Sequence, residues 1–249
     1  MSNWPTTAGE LIEVQEDLHR QNPPPWNPRG GSVGVGGCFV CFIPGSSPVG
    51  SAGDPGWSGA AIWQEGKIIA TSATGGTAGA PYEPGLLALR EGPLLEAAVR
   101  ELPSMPDVLL VNGTGMDHPR RAGLALHLGA ILDVPTVGVT NRSLVARGEQ
   151  PGEMRGDASP LYIDEEQVAM WLRVQTDVHP VVVHPAWRTS LTTASELVLS
   201  VTFRARTPEP LRQARQAARV ARATDKRRAG EMNKPTLRGA GKYQDPATL

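Results

Sequence analysis

The pair Cys38-x-x-Cys41 has a spacing that, on a loop or at a helix end, exchanges disulfides or holds zinc. Here the pair falls in a run, 32–42, of small and β-branched residues that reads as a buried strand. Alternate side chains on a strand point to opposite faces, so the two sulfurs diverge and core packing is the better reading of both. The second chemical signal is charge. From 204 to 249 there are twelve Lys/Arg against four Asp/Glu, whereas the preceding 203 residues carry twelve basic and twenty-one acidic groups. A basic arm of this kind fits phosphate contact, and it equally fits a solvated helix with a loose tail.

The elements that must position any site follow from composition and periodicity. Of the 249 residues 40% are hydrophobic and 20% charged, enough apolar mass for a real core and too little bias for a disordered, collagenous or coiled-coil chain. The 28 Gly and 23 Pro predict long irregular connections. The most apolar stretch, 122–139, is interrupted by His127, Asp133 and Pro135, which excludes a membrane span. The first turns carry Glu10, Glu13, Glu16 and Asp17 rather than an apolar signal segment, and with two cysteines the expectation is a cytoplasmic protein.

Helical spacing covers 8–20, capped by Thr6 or Thr7, and is stopped by the proline-rich run 23–28. The strand 32–42 and a hairpin of 57–63 and 67–74, turned at Glu65-Gly66, follow. Helices are expected over 84–102, 119–132 (with Pro119 in the first turn), 191–201 and 210–223. Buried strands are expected over 107–112, 135–139, 168–174 and 181–184. Three antiparallel strands followed by alternating helix and strand match an α/β fold with a ribonuclease-H-like mixed sheet flanked by helices. Residues 1–223 form that domain, and 224–249 read as a basic, disordered tail.

Two stretches carry a more specific likeness. The first is Pro81-Tyr82-Glu83-Pro84-Gly85-Leu86-Leu87-Ala88-Leu89-Arg90-Glu91-Gly92-Pro93. The second is Asn112-Gly113-Thr114-Gly115-Met116-Asp117-His118-Pro119-Arg120-Arg121, running on to 129 and to Asp133-Val134-Pro135-Thr136-Val137-Gly138-Val139. Together they resemble the signature of the endonuclease V family, over most of 7–223. The resemblance implies a Mg²⁺-dependent nuclease that recognises deoxyinosine in DNA or inosine in RNA. Tyr82 matches the wedge that replaces an extruded base, since an aromatic on a proline-flanked loop can stack on the neighbouring base and offset part of the unstacking cost. Leu87, Gly113, His118 and Gly138 match positions around the base pocket, and Asn141 with Arg142 stands where the family has a lysine.

The catalytic centre departs from that pattern. The family places an Asp on the first strand, a Glu at the start of the helix and an Asp at the end of the central strand, with a His nearby. Here only the glutamate, Glu91, is present. Asn112 stands for the second aspartate, the first-strand aspartate falls at Gly37, and the late histidine falls at Trp187. Glu91 reads equally as a carboxylate interacting with the helix dipole. Asp117 and His184 are candidate substitutes, while His127 reads as structural. The expected metal set is therefore Glu91, Asn112 and Asp117, and the expected catalytic set Glu91, Asn112 and His184. Losing two carboxylates weakens Mg²⁺ binding by several kcal/mol even at an effective dielectric of roughly 20. The implied function is an inosine-recognising, monomeric nucleic-acid-binding protein with weak or no cleavage. The alternatives are an active Mg²⁺-dependent endonuclease, or an interaction protein built on the same fold.

Overall fold

The computed structural model describes residues 4–28, 30–43 and 50–232, with side chains to 225. Helix α1 (Ala8–Arg20) opens with a capping box: the Glu10 amide donates to Thr7 Oγ1 (3.2 Å) and the Glu10 carboxylate accepts from the Thr7 amide (3.2 Å). Strands β1 (Val35–Phe42), β2 (Pro55–Gln64) and β3 (Lys67–Thr77) form an antiparallel meander. Between β2 and β3, Glu65 (φ 49°) and Gly66 (φ 80°) are both left-handed, as a two-residue type I′ hairpin turn requires.

Helix α2 (Leu87–Arg100), strand β4 (Val108–Val111), helix α3 (Leu124–Leu132) and strand β5 (Thr136–Thr140) then add the parallel part, with β4 between β1 and β5. Strands β6 (Ala158–Ile163), β7 (Glu166–Leu172) and β8 (Val181–Pro185) complete one eight-stranded mixed sheet in the order β3-β2-β1-β4-β5-β8-β7-β6. Helices α4 (Leu191–Ser200) and α5 (Glu209–Met232) close the chain. The α/β class and the mixed, helix-flanked sheet are those expected from the order of elements.

Period-two alternation divides the interior. Leu109 and Val111 of β4 join Cys38 and Val40 of β1 in a core under α2 and α3, while Val108 and Leu110 face a second core with Val198 of α4 and Leu211 of α5. Cys38 is accordingly buried and Cys41, on the other face, only partly so; both are free thiols, as the strand reading required.

Two helix starts and one additional strand differ from expectation, each for a local reason. Helix α2 begins at Leu87 rather than 84, because Gly85 is left-handed (φ 82°). Helix α3 begins at Leu124 rather than at Pro119: Arg121 is left-handed (φ 56°) and Gly123 is extended, so 119–123 is a loop. Strand β6 is absent from the sequence expectation; it is an edge strand with one buried side chain, Leu161, and it carries Pro160, a residue tolerated only where no ladder amide is needed.

Helix α5 runs nine residues beyond the expected end at 223, and the Trp57 indole N–H donates to Asp225 Oδ2 (2.6 Å) across that extension. The remainder of the expected tail, 233–249, lies outside the described residues.

Helix α5 docks on β1 and β2 with its backbone close to theirs. A Cβ at Gly37 would lie 2.3 Å from the Pro210 carbonyl carbon, and one at Gly59 would lie 2.5 Å from Ala214 O. Small residues, Ala214 and Ala218, complete the helix side of this contact. We expect Gly37→Ala to cost about 3 kcal/mol, at the upper end of overpacking penalties, because backbone rather than a flexible side chain must move. Urea unfolding measures it, and a wild-type midpoint would show that α5 does not rest on β1.

Candidate functional site

The carboxyl ends of the parallel strands β4 and β5 open into a cleft of about 520 Å³. Its walls come from three loops, 82–85 before α2, 112–118 after β4 and 140–144 after β5, with Gln15 of α1 closing one side. Irregular backbone gathers at this edge because strand ends leave groups that only loops can satisfy.

The Gly85 carbonyl anchors the first loop. It accepts hydrogen bonds from Gln15 Nε2 (3.2 Å), Arg120 Nη2 (2.9 Å) and His118 Nε2 (3.1 Å), and Arg120 Nε also donates to Gln15 Oε1 (2.6 Å). His118 Nδ1 accepts from the Arg120 amide (3.2 Å), so its proton is on Nε2. Burial, reinforced by Arg120, pulls the His118 imidazole down to about 4 and keeps it neutral. His118 therefore lines the cleft with both ring nitrogens engaged. Tyr82, on the same loop, is 42% exposed at the rim. Leu87, Gly113, Asn141 and Arg142 also line the cleft.

Gly138 does not line it. It is internal to β5, where a Cβ would lie 2.3 Å from the Gly113 carbonyl oxygen, so its role is to let the 112–118 loop close over the strand.

The third loop is held from behind. Asp117, fully buried, accepts from the amides of Leu144 (2.7 Å), Val145 (2.9 Å) and Ala146 (2.8 Å). His184 Nε2 lies 2.8 Å from Thr140 Oγ1, whose own proton goes to the Arg142 carbonyl (2.8 Å). His184 Nδ1 faces Asp117 Oδ2 at 3.9 Å without a hydrogen bond. Burial takes the His184 imidazole to about 4, although Asp117 opposes that shift. Both residues thus differ from their expected roles. Asp117 is committed to three amides and is not free to ligate a metal, and His184 sits behind Thr140 as a support of the wall rather than in the cleft.

The remaining expected residues separate. Asn112 is exposed and borders both the cleft and a second, smaller cavity. Glu91 is in the second turn of α2, without a hydrogen bond or ion pair among the described residues, and burial pushes its carboxyl up to about 7 against the pull of Arg90. Glu91 lies beyond the first turn of α2, where the dipole effect has already fallen off. The β1 side chain on the Glu91 face is Cys38, whose thiol is driven up by burial and by Glu91 and donates to the Leu110 carbonyl (3.8 Å).

Gly37, where the family resemblance implies an aspartate, faces α5 instead. Trp187 is at the opposite end of the strands, its amide bonded to Thr136 Oγ1 (3.1 Å) at the start of β5, and so replaces nothing near Asn112. His127 stacks on Trp4 with ring centroids 4.5 Å apart, the structural role expected. Gln15, Arg120 and Thr140 entered the site unannounced, because their contacts span up to 105 residues of sequence.

Mg²⁺ is a hard ion that takes several oxygen ligands, usually carboxylates, water and phosphate. Glu91 and Asn112 are the only oxygen-bearing side chains of the expected set still available. Among the described residues no three His, Cys, Asp or Glu side chains gather as a metal site. The donor set does not fit a Mg²⁺ site.

Comparison with known proteins gives a consistent likeness. A family model described as Endonuclease V matches residues 53–216. An Endonuclease V of Azotobacter vinelandii is 43% identical over 138 residues, 55% of this chain and 62% of that protein, so the match spans less than two thirds of that relative. The crystal structure of Endonuclease V from Streptomyces avermitilis superposes with a TM-score of 0.79 at 34% identity, covering 90% of this chain and 96% of that one. Endonuclease V of Ciona intestinalis, in complex with a 24mer DNA containing an inosine followed by a ribo-adenosine, shares the fold. Its TM-score is 0.71 at 22% identity, covering 87% and 98% of the two chains.

Two opposed pH effects follow from the buried groups. His118, His127 and His184 each fall from 6.5 to about 4 on folding, so the unfolded chain binds more protons between those values and stability drops as pH falls through that window. Glu91 rises from 4.5 to about 7, so its cost appears as pH rises through that range. With chelator present, Glu91→Gln should stabilise the protein by about 2 kcal/mol at pH 8 and by nothing at pH 4. Thermal unfolding at both pH values measures this, and an equal effect at both would rule out the buried carboxyl.

Proposed function

Because the chain belongs to the endonuclease V family, we propose that its cleft takes an extruded inosine or deoxyinosine base from nucleic acid. On this reading cleavage of the strand is weak or absent. Members of the family are metal-dependent nucleases. The observation that carries the reading is the contrast within one edge of the sheet. A cleft with Tyr82 at its rim is present, while among the described residues Glu91 belongs to no cluster of three or more acidic, His or Cys side chains.

Each wall has a task in this reading. Tyr82, exposed on an anchored loop, stacks in the gap left by the base. The backbone of Gly113 and the side chain of Asn141 offer hydrogen-bond donors and acceptors to the purine edge, and Leu87 supplies an apolar surface. Arg142 adds positive charge at the mouth. Inosine-containing DNA bound by the Ciona protein is the model for the ligand. No helix among the described residues is long and apolar enough to cross a membrane, and the expected cytoplasmic location and monomeric state belong to this same proposal.

One observation favours the second reading, an active Mg²⁺-dependent endonuclease. A half-buried carboxyl without a partner, as Glu91 is, is relieved by a nearby cation. Binding and nicking of inosine-containing DNA and RNA, scored separately with Mg²⁺ and with chelator, decide between them. We expect binding that prefers inosine to guanosine, persists in chelator and weakens as salt rises, with no nicking. Tyr82→Ala should cost about tenfold in affinity, the scale of one base–aromatic stack. Mg²⁺-dependent nicking that disappears in Glu91→Ala would establish the second reading instead.

A further inference from the structure

The second cavity, about 110 Å³, lies on the α5 side of the same strand ends. Asn112, Thr140 and Asn141 border both it and the base cleft, so the two spaces adjoin through these residues. Its floor includes Phe39 of β1 and its α5 wall includes Arg215, whose guanidinium carbon is 5.2 Å from the Phe39 ring centroid. No carboxylate pairs with Arg215 among the described residues, whereas the neighbouring Arg212 is held by Glu209 (3.0 Å from Nε to Oε2). Arg219 follows one turn later, beside a shallow depression that also includes Arg215, and Arg222 lies beyond it. Arg222 is fixed through its bond to the Phe42 carbonyl (3.0 Å).

We propose that Arg215 and Asn112 form a metal-independent seat for a backbone phosphate, and that the strand continues along Arg219 toward Arg222. A guanidinium is a permanent cation with a planar fork of donors that matches phosphate oxygens bidentately, and it needs no carboxylate cage. Stacking on Phe39 leaves that fork pre-aimed. Arg215 and Arg222 are seven residues apart, about 10 Å along a helix, so the row follows an extended backbone rather than a single anion. Positive charge at this edge also opposes a divalent cation there, which agrees with the sparse donor set around Glu91. The ligand class is a phosphodiester of single-stranded DNA or RNA.

This inference rests on the proposed inosine-binding function, and the test separates the two. Fluorescence anisotropy would follow labelled single-stranded oligodeoxynucleotides, one carrying a single inosine and one guanosine in its place. The full chain would be used as wild type, Arg215→Ala and Arg215→Lys, each in chelator and in Mg²⁺ across a salt series. Arg215→Ala should weaken both oligonucleotides equally, by about tenfold, and lower the slope of log affinity against log salt by about one. The wild-type inosine-to-guanosine ratio should be retained, chelator should change nothing, and Arg215→Lys should keep the wild-type slope.

Unchanged affinity and slope in Arg215→Ala, wild-type binding that requires Mg²⁺, or no wild-type binding to either strand would each overturn the phosphate seat. An inosine-to-guanosine ratio of one in the wild type, with the Arg215→Ala loss intact, would overturn the base-recognition reading alone. Arg215 is exposed, and unchanged thermal unfolding of the variants confirms that the losses are in binding.

Discussion

Helix α5 meets the sheet through backbone rather than through interlocking side chains, and that contact governs the architecture around the cleft. Gly37 and Gly59 remove the two side chains that would hold the helix away, and Ala214 and Ala218 bring its own backbone down onto β1 and β2. Close-packed interiors have no slack for a substitution here. The same contact places the first turns of α5 beside the ends of β4 and β5. The space on that face is occupied by helix backbone, Phe39 and a guanidinium. On the neighbouring side of the same strand ends the larger cleft stays open.

The open face owes its shape to buried polar groups that hold loops. The Gly85 carbonyl fixes the aromatic loop, and Asp117 with His184 and Thr140 fixes the 140–146 loop. Such groups are costly to bury unless each finds partners, and here the partners are backbone amides and carbonyls of the segments that line the cleft. One atom of this arrangement, His184 Nδ1, has no partner. A buried, neutral imidazole tolerates that better than a charged one, in agreement with the strong downward shift of this group.

The division of the chain into helices and strands was legible where hydrophobic period decides it, as in β4, whose alternating side chains enter two cores. It failed where one backbone torsion overrides the pattern: Arg121 breaks a helix that Pro119 had promised. The edge strand β6 escaped because Leu161 is its one fully buried side chain, too little for a visible alternation. The cleft was legible through its motifs, since Tyr82, Leu87, Gly113, His118, Asn141 and Arg142 all line it. The roles of Asp117, Gly138 and His184 were not, because a sequence does not say whether a polar side chain faces a cavity or a backbone amide. Arg215 was visible only as one member of a basic run; its placement depends on how α5 lies across β1.

The bracing of Gly85 has an energetic corollary. Three donors from two distant segments meet on one carbonyl oxygen, so the loop bearing Tyr82 gives up its freedom when the protein folds, not when a ligand arrives. A ring mounted that stiffly does not adapt to its target. On the proposed reading the distortion falls to the nucleic acid, and strands that already fray, bulge or mispair would be engaged before sound duplex.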